Sequence, residues 1–95
     1  MNNANENNAN ACVLPAQRYY KSLPKKVKGE ILRTLEETIG KKSKITYIRW
    51  FYGQVYPQTI AERNAVAQAM NQYAGCTLTG DELFPEDFPY RGANN

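Results

Sequence analysis

Histidine is absent from this 95-residue chain. That removes the side chain most often used as a general base, metal ligand or proton switch near neutral pH. Cysteine is nearly absent. Cys12 and Cys76 have neither C-x-x-C nor metal-ligand spacing, and in a chain expected to be cytoplasmic they are read as free thiols. No apolar run reaches the roughly 18 residues that a membrane-crossing helix requires, so no membrane is expected. The N-terminus lacks a basic stretch followed by an apolar one, so no secretory signal is expected. The glycine-rich phosphate loops and the H-E-x-x-H zinc pattern are missing as well.

These absences leave little room for catalysis. Glu36 and Glu37 are adjacent, so on a helix they point to different sides and cannot work as an acid–base pair. Asp81, Glu82, Glu86 and Asp87 surround an expected turn and read as a solvated acidic patch. Cys76 is the one conceivable nucleophile, and no histidine exists to activate it. The chain is therefore expected not to be an enzyme, and to use no cofactor, no metal and no small-molecule substrate.

What is present is unevenly placed. Residues 1–11 hold six asparagines and no large apolar side chain beyond Met1. Such a tract buries too little surface to offset its ordering entropy, so it is expected to be a disordered tail, as are residues 91–95. One domain is expected over residues 12–90. The net charge of +3 conceals an asymmetry. From Arg18 to Arg49, ten cations face only Glu30, Glu36 and Glu37, giving +7, whereas residues 50–95 carry −3. A basic half of this kind suits an anionic partner.

Hydrophobic spacing predicts an all-α bundle of four to five short helices. A first helix is expected over residues 13–22, with Leu14, Tyr19 and Leu23 inward. A second covers residues 23–39, with Ser22 as N-cap, an apolar stripe of Val27, Ile31, Leu32, Leu35 and Ile39, and Gly40 as its stop. Ser43 is the next candidate N-cap, opening a helix to Tyr52 with Ile45, Ile48 and Tyr52 on its inner face and Gly53 ending it. A strand there is the alternative that its β-branched and aromatic content allows. Thr59 and Glu62 have capping-box spacing and start a helix burying Ile60, Val66, Met70 and Tyr73. Thr79 and Glu82 repeat that spacing before the turn D-E-L-F.

The segment KKSKITYIRWFYGQVYPQ, residues 41–58, carries the functional signal. A helix that enters a DNA major groove needs polar residues near its start, cations for phosphates, and an apolar far side. Lys41, Lys42 and Lys44 cluster at the start; Ser43, Thr46 and Tyr47 can form hydrogen bonds; Arg49 can meet a guanine or a phosphate. Trp50 and Phe51 are read as core. Double-stranded DNA is the expected partner. Two other readings stay open. One is a protein-interaction module that exposes Tyr47, Phe51 and Tyr56. The other is RNA or single-strand binding with tyrosines as stacking platforms.

From Arg49-Trp50 through Gly53, the proline turn at Pro57, the alanine-rich helix from Ile60 to Tyr73 and the D-E-L-F of Asp81 to Phe84, the chain resembles the Cro/phage-repressor type of helix-turn-helix domain over roughly residues 23–84. Two positions depart from that pattern: Glu36 stands where a small residue is usual, and Lys41 where an apolar one is usual. The resemblance implies a DNA-binding transcriptional regulator of phage or mobile-element type, binding as a homodimer. It places Ser43, Lys44, Thr46, Tyr47 and Arg49 on the recognition surface, with Lys41, Lys42 and Gln54 on the DNA backbone.

Overall fold

Helices separated by glycine and proline make up the described residues of this chain. The computed structural model describes residues 13–40 and 43–90. The tails expected over residues 1–11 and 91–95 lie outside the described residues, as do Cys12, Lys41 and Lys42. The fold is all-α: α1 (Pro15–Lys21), α2 (Lys25–Ile39), α3 (Lys44–Phe51), α4 (Ile60–Ala74) and α5 (Gly80–Leu83), with no strand among the described residues. None of these helices is long and apolar enough to cross a membrane.

The two long helices form the frame. α2 packs along α4, α5 closes against α4, and α3 lies against α2, with α1 touching both α3 and α5. One cluster of buried side chains runs through all five, from Leu14 to Tyr90. Ile31, Leu32 and Leu35 supply the inner face of α2, and Val66, Ala67, Ala69 and Met70 that of α4. The alanines let the two backbones approach. Thr34 donates a hydrogen bond to the Tyr73 hydroxyl (3.0 Å) across that seam. Asn71 grips the loop before α5 by exchanging two hydrogen bonds with the backbone of Leu78, at 2.8 and 2.9 Å. Gly80 is required where α5 meets α4, because a Cβ there would lie 2.9 Å from the backbone carbon of Arg63.

Both capping boxes form in full. The Thr59 hydroxyl accepts from the Glu62 amide and the Glu62 carboxylate accepts from the Thr59 amide. Thr79 and Glu82 do the same. Four expectations need correction. Ser22 does not cap α2: it closes α1, its hydroxyl donating to the Tyr19 carbonyl at 2.9 Å, and Pro24 occupies the N-cap of α2. In α1 the inward tyrosine is Tyr20, 4% exposed, while Tyr19 faces out, because Tyr20 shares a helix face with buried Ala16 one turn earlier. Ile60, expected inside, is 66% exposed; it sits in the first turn of α4, at the edge of the apolar arc. The fourth correction, the rotation of α3, bears on the functional site.

Candidate nucleic-acid interface

An eight-residue helix is too short to persist alone in water, so α3 depends on what holds it. Three aromatic side chains do so. Tyr47, Trp50 and Phe51 are 0%, 2% and 0% exposed. Tyr47 and Trp50 meet edge to face at 5.2 Å between ring centroids. Phe51 stacks on Tyr20 at 4.1 Å, with the planes 12° apart. Burial, and then the neighbouring Tyr52, push the Tyr20 hydroxyl above the ordinary tyrosine range. The helix ends in a Schellman arrangement. Gly53 takes a left-handed φ of 72°, its amide donates to Trp50 (3.2 Å), and the Gln54 amide donates to Arg49 (3.0 Å). Beyond it, Arg63 fastens the connecting loop: it donates to the Pro57 carbonyl at 2.6 Å and lies over the Tyr56 ring at 4.7 Å.

This clamp turns α3 away from the expected orientation. Tyr47, assigned to the recognition surface, is inside. Ile45 and Ile48, assigned to the core, are outside at 61% and 37% exposure, and Tyr52 is half-buried. Two sets of residues on this helix fit a helical face: Ile45, Ile48 and Tyr52, at successive spacings of three and four, and Tyr47 with Trp50 and Phe51, three and four residues after it. The second buries more surface, since each large aromatic removes about 150–250 Å² from water, and so it takes the core. The signal was present in side-chain size rather than spacing.

The other candidate residues fall as follows. Ser43 is exposed at the N-cap position, but its side chain makes no capping hydrogen bond. Lys44 and Arg49 are exposed, whereas Thr46 and Gln54 are half-buried. Lys44 and Ile48 lie one turn apart, as do Ile45 and Arg49, so these four form one outward patch, with Ser43 at its start. Lys41 and Lys42 lie outside the described residues.

Few of the cations around this patch are paired among the described residues. Among the described residues the ion pairs are those of Arg33 with Glu30 and with Glu37. Lys28 lies over the Tyr20 ring at 5.4 Å. Arg18, Lys21, Lys25, Lys26, Lys44 and Arg49 are exposed with no carboxylate partner among the described residues. α2 and α3 also start without an acidic residue in the first turn and without a side-chain cap, so their positive dipole ends meet lysines. That arrangement is unfavourable by itself and becomes favourable beside an anion.

Tyr20, Tyr47 and Tyr90 are buried, Tyr52, Tyr56 and Tyr73 are half-buried, and Tyr19 alone is exposed. Tyr56 is held against Tyr90 at 4.8 Å. Cys76 is a half-buried free thiol. The chain matches no protein-family model, no curated protein and no solved structure.

Proposed function

We propose that this chain is a non-catalytic double-stranded-DNA-binding protein, a transcriptional regulator of the phage or mobile-element type, that presents α3 to the major groove. The observation that carries this reading is the outward patch of α3. Ser43, Lys44, Ile45, Ile48 and Arg49 face solvent while Tyr47, Trp50 and Phe51 lock the opposite side. A groove-entering helix needs this division of labour. Exposed cations on α1 and α2, the two helices packed against α3, have no carboxylate partner among the described residues and supply further phosphate contacts. An exposed patch of Tyr47, Phe51 and Tyr56 would have favoured the protein-interaction reading; Tyr47 and Phe51 are buried and Tyr56 is half-buried.

The test is a titration of the protein against random-sequence duplex DNA at about 50 mM and about 200 mM salt. Affinity is expected to fall steeply, with a log–log slope of about −0.9 for each phosphate contacted. Lys44→Ala should make that slope shallower by about one. Arg49→Ala should weaken binding without changing the helical circular dichroism. Absence of binding at the lower salt would overturn the reading and redirect the search to a protein partner.

A further inference from the structure

Ile45 and Ile48 serve neither the core nor the phosphate contacts. They are exposed side by side on α3, between Lys44 and Arg49, while the core is filled from the other side by Tyr47, Trp50 and Phe51. A protein partner would have to combine an apolar surface for the isoleucines with carboxylates set beside both cations, which have no carboxylate partner among the described residues. A DNA duplex carries both kinds of group along its whole length. Its phosphates meet the cations, and its major groove offers one apolar group, the 5-methyl of thymine; the edges of guanine, adenine and cytosine present hydrogen-bonding groups there instead. The dimensions agree. Side chains three residues apart on a helix stand about 5–6 Å from each other, and stacked bases of one strand about 3.4 Å. The isoleucine pair therefore spans one to two base-pair steps.

We infer that Ile45 and Ile48 select thymine-bearing sites by covering thymine 5-methyl groups in the major groove, with Lys44 and Arg49 engaging phosphate or guanine on either side. This inference rests on the DNA-binding reading above. It makes a chemical demand that general phosphate attraction does not make: removing methyl groups from the DNA, with every charge unchanged, must weaken binding.

The experiment compares two short duplexes, one of alternating dA·dT and one in which deoxyuridine replaces every thymidine, titrated at the same moderate salt. The full chain is expected to prefer the thymine duplex by about fourfold for each methyl covered, hence on the order of tenfold for two. In the double variant Ile45→Ala/Ile48→Ala, and partly in Ile45→Ala alone, affinity for the thymine duplex should fall to that for the uracil duplex, with the latter unchanged. Equal binding of both duplexes by the parent chain would overturn the inference and leave DNA binding standing. A preference that persists in the double variant would overturn it as well, since the methyl effect would then arise from the shape of the DNA. Failure to bind either duplex at low salt would overturn both the inference and the function on which it rests.

Discussion

The two halves of this chain start their helices in opposite ways. α4 and α5 open with complete capping boxes, Thr59 with Glu62 and Thr79 with Glu82, and carry acidic residues in their first turns. α2 and α3 open on lysines, with Pro24 and Ser43 at the N-cap positions and no side-chain cap. Each missing cap forgoes about 0.5–2 kcal/mol, and each cation beside a positive dipole end opposes the helix by about 0.3–1 kcal/mol. The second half is therefore stabilised by local rules. The first is stabilised by aromatic packing and leaves its helix starts suited to anions. The difference separates a half whose helix starts are capped locally from a half whose helices rest on tertiary packing.

If packing carries the first half, Trp50 is where that half breaks. Its ring is 2% exposed and contacts Tyr47 edge to face. Trp50→Ala should cost about 3–5 kcal/mol, read by urea denaturation followed by circular dichroism, since the variant has no tryptophan to report. The loss should be uneven. Amide exchange should speed up first in α1, α2 and α3, while the capped turns at Thr59 and Thr79 stay protected longest. A cost below about 1 kcal/mol would mean that the ring does little for α3, and the contrast between a packed half and a capped half would fail.

The caps provide the next test. Thr59→Ala and Thr79→Ala should each cost about 0.5–2 kcal/mol, because each removes a hydroxyl that accepts from a backbone amide, at 3.0 and 3.1 Å. Ser43→Ala should cost far less, since its hydroxyl makes no capping bond. Thermal melts of the three variants decide the matter. Equal losses at all three positions would show Ser43 to be a working cap and remove the asymmetry.

The same division explains what the sequence disclosed. The second half follows local signals that need no knowledge of the fold. Threonine three residues before glutamate marked both boxes. The stripe of α2 was equally legible, because Ile31, Leu32 and Leu35 face no competing set. α3 was not, because two stripes satisfied one periodicity, and only tertiary packing against Tyr20 and the α2–α4 frame chose between them. Ser22 misled for a related reason. A serine two residues before a proline suits a helix start, but the same hydroxyl closes α1 once that helix exists. Among the candidate site residues, Lys44 and Arg49 reached the surface by charge alone, a signal that any solvated helix obeys. Tyr47 was lost to the core and Ile45 and Ile48 gained for the surface by that single rotation of the helix.

The smallest effect on stability is also the one that best separates structure from function. Lys44 sits at the first position of α3, against the positive end of its dipole, with no acidic neighbour in that turn. For the fold alone, Lys44→Glu should be beneficial: it replaces an unfavourable charge with a favourable one and should raise stability by about 0.3–1 kcal/mol, a rise of about 1–8 °C in a domain of this size. For duplex binding the same change should be severe. It puts a carboxylate where a phosphate is to sit, and the salt dependence should flatten by about one contact or more. A variant that melts higher and binds worse would show that Lys44 is kept against the interest of the helix and for the sake of a ligand. A variant that melts lower would place Lys44 among the residues that hold the fold, and unchanged duplex affinity would remove it from the interface. Either result would dissolve the contrast between the two ways this chain begins its helices.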